Sequence, residues 1–143
     1  MERSASAGWT GDLRDGKGKI STQSGALADA PYSFVTRFES GKGTNPEELI
    51  AAAHAGCFTM ALSAQLGTMK ITPESLWTTA AVTLEKLEAG WTISKIHLDV
   101  TGHIPGISPE AFESAATSAK QNCPVSRLLK AKITMTAKLE QAA

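Results

Sequence analysis

Four side chains of this 143-residue chain have the types and neighbours that chemistry needs: Cys57 in "AAAHAGCFTMAL", Cys123 in "NCPVS", Arg37 in "YSFVTRFE" and Glu47 in "NPEEL". A thiol attacks only as its thiolate. With an ordinary pKa of about 8.5, only about 3% of a thiol is ionised at pH 7, and a drop of about two units raises that to roughly three-quarters. Burial opposes the drop, because desolvation disfavours the charged form. A permanently charged arginine supplies it, and Arg37 precedes the Cys57 segment by a short loop and a helical turn. Glu47 lies about 15 Å before Cys57 along a straight helix, beyond reach of the sulfur. It is placed instead to grip the Arg37 guanidinium through two hydrogen bonds and aim the remaining donors. Cys123 precedes Pro124, where the amino end of a helix itself favours a thiolate. Spacing alone leaves open which cysteine attacks.

Each of these residues also has an ordinary structural explanation. A free cysteine in an apolar helix is commonly a packing residue. Glu47 and Glu48 in a first helical turn suit the helix dipole, and Glu48, three residues after Asn45, resembles half of a capping box. An arginine on a strand is commonly a solvated charge. His54 and Cys57 at i, i+3 share a helical face and, with Cys123 and either His97 or His103, would make four zinc ligands; structural zinc sites usually have two short-spaced pairs, and here there is one. The two strand histidines read as exposed. The small residues of "SAATSA" would also suit a cavity for an apolar ligand. Two further classes therefore stand beside thiol chemistry: a zinc-stabilised structural protein and a non-enzymatic binder of apolar ligands.

The elements that must position these residues follow from turn and cap signals. Residues 8–22 carry two short runs around the Gly-rich turn Asp15 to Gly18, a β-hairpin, and "PYSFVTRFE" adds a third strand. Asn45 as N-cap, Pro46 at the first helical position and Gly67 as the stop predict a helix of roughly twenty residues. From Leu49 to Leu62 only His54 and Thr59 interrupt its apolar surface, so it is expected to be a central helix enclosed by the rest of the fold. Between residues 75 and 104 the turn signal "EAG" separates two long antiparallel strands, with Ile96, Leu98, Val100 and Ile104 at period two facing the core. Ser108 and Pro109 start a second helix, "CPVSRLLK" a short helical turn, and "KITMTAKLE" a closing strand. The expected fold is a single α+β domain over residues 1–143, antiparallel sheets wrapped around a long buried helix.

Composition narrows the partners. Fourteen Lys+Arg against fourteen Asp+Glu provide no basic field for a phosphate backbone, so nucleic acid is not expected. "MERSASAGWTGD" has no apolar signal segment, and the longest apolar run is shorter than a bilayer needs, so no membrane is expected and the location is expected to be cytoplasmic. Two cysteines in a reducing compartment are not expected to form a permanent bridge.

"RDGKGKIST", "PYSFVTRFESGKGTNPEELIAAAHAGCFTMALS" and "NCPVSRLLKAKIT" together closely resemble the OsmC branch of the OsmC/Ohr hydroperoxide reductases, from about Trp9 to Leu139 and in the same order. The resemblance implies a thiol peroxidase acting on organic hydroperoxides, folded as an intertwined α+β homodimer with two active sites at the subunit interface. It implies that Cys57 attacks the peroxide, that Cys123 resolves the resulting sulfenic acid as a disulfide, and that Arg37, held by Glu47, activates the thiolate. In the Ohr branch the arginine comes from elsewhere in the chain, which keeps Arg14 in reserve. No metal or organic cofactor is implied; the reductant is an external dithiol, for which the family suggests lipoylated proteins. Phe58, Met60 and Ile50 are the expected lining of an apolar substrate pocket. His54 is expected to pack or hydrogen-bond, and Gly56, where the family motif has alanine, adds a small helix penalty.

Overall fold

Strand β1 (Ala5–Thr10) pairs antiparallel with β2 (Lys17–Thr22), which pairs antiparallel with β3 (Ala30–Tyr32) in a three-stranded sheet, in a computed structural model that describes residues 1–140. The last three residues of the domain expected over residues 1–143 lie outside this range. The chain divides into two units, Met1–Leu49 and the residues from Ile50 onward.

In the first unit the expected hairpin forms, but its turn is built on Asp12 rather than on residues 15–18. Asp12 Oδ1 accepts from the Arg14 and Asp15 N–H groups at 2.9 and 2.8 Å, a short side chain capping its own turn. Gly18 sits between Trp9 and Tyr32 across the three strands, and a Cβ there would come within 2.3 Å of the Tyr32 ring. Its missing side chain lets the two rings close to 5.4 Å between centroids.

The strand expected over residues 31–39 stops at Tyr32, and Arg37 lies on a helix, α1 (Phe34–Phe38). Ser33 overrides the β-forming valine and threonine that follow it. Its hydroxyl accepts from the Thr36 N–H at 3.3 Å while Thr36 Oγ1 accepts from the Ser33 N–H at 2.7 Å, a reciprocal cap that satisfies two otherwise orphaned donors.

Helix α2 (Pro46–Thr68) starts as expected, with Asn45 Oδ1 accepting from the Glu48 N–H at 2.8 Å, and runs one residue past Gly67. Its enclosure is partial, unlike the expectation. His54, Phe58, Leu62 and Leu66, each four residues after the last, have no exposure at all, while Met60 is 77% exposed. That i, i+4 row is the one face the second unit covers. With 23 residues and a mean hydropathy of 1.4, α2 also has the length and composition of a membrane span. Its buried histidine and its seat in the core are features of a helix packed within a folded domain.

In the second unit β4 (Ser75–Leu87) and β5 (Gly90–His103) form the expected antiparallel pair, turned through Gly90 at φ +111°. Ile96, Leu98 and Val100 are fully buried and alternate with polar neighbours. Helix α3 (Pro109–Asn122), capped by Ser108, buries Phe112, Ala115, Ala116 and Ala119. After α4 (Pro124–Leu128) the chain returns as β6 (Lys132–Glu140), which pairs with β5 in parallel. This sheet is therefore mixed, not antiparallel throughout, because a helical crossover carries the chain from the far end of β5 back towards the end at which β5 begins. The architecture is α+β, with two three-stranded sheets and one long helix.

Candidate active site

Cys57 and Cys123 are brought together in the core of the second unit, with their Sγ atoms 3.1 Å apart and both thiols free. Cys57 lies one residue before Phe58, on the flank of the buried row of α2, and is half-buried. Cys123 ends α3 and caps α4, and is completely buried. Pro124, which lacks an N–H, occupies the first position of α4, and the Ser126 N–H reaches back to Cys123 Sγ at 3.5 Å.

The two sulfurs differ in charge preference as well as in access. Burial pushes the Cys57 thiol up; the Val125 backbone opposes this, and the neighbouring Cys123 adds to the rise. Burial would push Cys123 up too, but the Ser126 backbone N–H, the Cys57 thiol, the Ser126 hydroxyl and the Val125 backbone together outweigh it and hold Cys123 low. Of the pair, Cys57 is pushed towards its neutral thiol and Cys123 towards its thiolate.

His54, three residues before Cys57 on α2, is fully buried, and its Nε2 lies 2.7 Å from Ser126 Oγ. Burial lowers its pKa, so the ring is neutral. This agrees with the packing and hydrogen-bonding role expected for it. The other two histidines are half-buried rather than exposed. His97 meets Thr134 Oγ1 at 2.6 Å and Thr136 Oγ1 at 3.1 Å, and His103 Nε2 lies 2.9 Å from Glu74 Oε2. Among the described residues no three His, Cys, Asp or Glu side chains gather to hold a metal, so the zinc set drawn from Cys57, Cys123, His54 and a strand histidine does not assemble.

In the first unit Arg37 and Glu47 are joined as expected. Arg37 Nη2 and Nε both donate to Glu47 Oε1, at 2.8 and 3.2 Å, and Nε also reaches Oε2 at 3.3 Å. The carboxylate thus holds one side of the guanidinium and leaves Nη1 to other acceptors. Asn45 Nδ2 donates to the Thr36 carbonyl at 3.1 Å and the Thr44 N–H to the Pro31 carbonyl at 2.9 Å, so the start of α2 is stitched to α1 and β3. Glu48 remains a capping residue, its carboxylate accepting from Thr44 Oγ1 at 2.9 Å.

Arg37 also lines a cavity of about 240 Å³ with Trp9, Leu13, Tyr32, Ser33, Phe34 and Phe38. Arg14, the reserve arginine, stacks over the Phe34 ring at 4.9 Å from its centroid. The pocket lining expected from α2 is not what forms this cavity: Phe58 is sealed in the core, Ile50 packs against that core, and Met60 faces outward. Phe34 and Phe38 were the overlooked signal. Their i, i+4 spacing puts both rings on one helical face, with centroids 4.9 Å apart, whereas a strand would leave them unpaired. Ser126 was overlooked as well, and nothing in its local sequence marks it.

A family model described as "OsmC-like protein" matches residues 39–138. The chain is 51% identical over 140 residues to Peroxiredoxin OsmC of Escherichia coli strain K12, covering 98% of both chains. It is 36% identical over 97 residues to the organic hydroperoxide resistance protein OhrA of Bacillus subtilis strain 168, covering 66% of each. The crystal structure of the organic hydroperoxide resistance protein OhrB of Bacillus subtilis is similar with a TM-score of 0.71 and 25% identity, over 96% of this chain and 98% of that one.

Proposed function

Because the chain belongs to the OsmC-like protein family, we propose that it is a thiol peroxidase that reduces organic hydroperoxides to alcohols in stress defence. The observation that carries this reading is the pair of free sulfurs at 3.1 Å, of which Cys57 is partly open and Cys123 is sealed. A peroxide reaches only the open one. Cys57 is therefore the attacker: its thiolate takes the distal peroxide oxygen, the O–O bond breaks, and the alkoxide leaves to become the alcohol. Cys123 then closes on the Cys57 sulfenic acid, moving from 3.1 Å to the bonded distance of about 2.05 Å.

Burial works against the Cys57 thiolate, so attack requires a cation from outside the thiol pair. Arg37 is assigned that part. Glu47 fixes its plane, and the free side of the guanidinium favours both the thiolate and the departing alkoxide. The aromatic cavity that Arg37 lines suits the apolar part of an organic hydroperoxide and gives hydrogen peroxide little to bind.

The outward face of α2, with Ala52, Ala53, Gly56 and Met60 exposed, supports a homodimer in which a second copy covers it. Two unbridged thiols suit the reducing cytoplasm, and the disulfide is returned to them by an external dithiol such as a lipoylated protein.

The test is a count of free thiols on the reduced protein before and after one equivalent of cumene hydroperoxide. A fall from two per chain to none, with a Cys57–Cys123 disulfide in the mass spectrum, is the expected result. Two thiols left untouched would overturn the peroxidase and bring the apolar-ligand binder forward.

A further inference from the structure

His54 is the buried titratable group that peroxide attack does not use. It lies fully buried in an apolar core, where polar side chains are retained at a cost unless they are hydrogen-bonded. Its one partner is Ser126 Oγ at 2.7 Å, and its Nδ1 has none among the described residues. A neutral imidazole donates from one nitrogen only. If Ser126 were the donor to Nε2, Nδ1 would carry a buried N–H with no acceptor; if Nε2–H donates, Nδ1 keeps only a bare lone pair. Orphaned buried N–H groups are the rarer of the two defects, which favours Nε2–H as donor. The Ser126 hydroxyl proton is then free to point away from the histidine. The same residue already offers its backbone N–H to Cys123 Sγ at 3.5 Å.

We propose that His54, acting through Ser126, is a positioning residue for disulfide closure: its hydrogen bond to Ser126 Oγ pins the first turn of α4 to α2 and holds the Ser126 N–H on Cys123 Sγ, so that this sulfur stays aimed at Cys57. The inference rests on the reading that Cys57 attacks and Cys123 resolves. In the step concerned, the Cys123 thiolate pair forms the S–S bond to the Cys57 sulfenic sulfur. The S–O bond breaks, and hydroxide leaves and takes a proton from solvent as water. The thiolate is consumed in this step and not in the attack on peroxide. Losing the relay therefore slows closure and spares attack.

The experiment is a single turnover of the full chain with cumene hydroperoxide, quenched over time. The Cys57 sulfenic acid is trapped with dimedone and the disulfide is counted by mass spectrometry. Ser126→Ala is expected to consume peroxide within about twofold of the parent rate, to close the disulfide about tenfold to a hundredfold more slowly, and to accumulate sulfenic acid; Ser126→Thr, which keeps the hydroxyl, restores closure. In a Cys57→Ser background, Ser126→Ala is also expected to slow alkylation of Cys123 at neutral pH. Closure at the parent rate in Ser126→Ala, or attack and closure slowed by the same factor, would overturn the inference while leaving the peroxidase intact. Peroxide consumption that survives in Cys57→Ser would instead sink the underlying assignment of roles.

Discussion

The arginine pair and the cysteine pair are built in opposite ways. Arg37 and Glu47 meet at the rim of an aromatic cavity, the guanidinium 39% exposed, held by a five-residue helix and a set of side-chain-to-backbone bonds. Cys57 and Cys123 meet inside an apolar core, held by a 23-residue helix, a 14-residue helix and one buried histidine-to-serine hydrogen bond. A guanidinium keeps its charge in either setting and gains from an open face that a substrate can approach. A sulfur's charge depends on its surroundings, so its reactivity has to be set by enclosure and by individual donors. The open region supplies fixed charge, and the closed one supplies control over a labile proton.

The widest difference between the two regions is expected on removing a sulfur. Cys57→Ser should abolish turnover, a loss of more than about a thousandfold in peroxide consumption with a dithiol reductant, since the other thiol, Cys123, is buried. Arg37→Ala follows at about a hundredfold in kcat/KM, with the pH dependence of Cys57 alkylation displaced to higher pH. The same substitution should leave stability nearly unchanged, because an ion pair with a solvated guanidinium contributes about 0–1 kcal/mol. An alkylation profile identical to the parent's would break the comparison and point to Arg14.

Stability should divide the regions the other way. Phe58→Ala opens a cavity in the core and is expected to cost about 3–5 kcal/mol in denaturant unfolding. Phe34→Ala is expected to spare stability and to weaken selection of bulky over small peroxides by about tenfold to a hundredfold in the ratio of kcat/KM.

The smallest effect expected is that of pH on the buried histidine. His54 has its folded pKa depressed by burial, so the folded state disfavours the proton that the unfolded chain accepts at about 6.5. Its contribution is therefore fully present above that value and is lost as pH falls below it, towards the depressed folded pKa. Thermal unfolding followed from neutral to mildly acid pH should show the parent losing stability on the acid side, and His54→Asn should lose less of it there.

Much of this was legible along the chain. Asn45, Pro46, Ser108 and Pro109 mark helix starts by local hydrogen bonding and fixed φ, and alternation from Ile96 to Val100 marks a strand with one covered face; both signals act over a few residues and need no distant partner. The apolar and β-branched neighbours of Arg37 point to a strand, but the Ser33–Thr36 cap makes the segment helical. The parallel pairing of β6 was not legible, since the direction of a strand after a crossover depends on where α3 packs.

The site divides along the same line. Residue type and neighbourhood alone marked two thiols, an arginine and a carboxylate as candidate reactive groups, and showed that Glu47 and Arg37 suited each other, because charge and hydrogen-bonding geometry belong to the side chain itself. Only the tertiary structure decided that Cys57 is open and Cys123 closed, that the two sulfurs stand 3.1 Å apart, and that His54 and Ser126 meet across 72 residues. Those are properties of enclosure, and enclosure is made by segments that no local stretch of sequence contains.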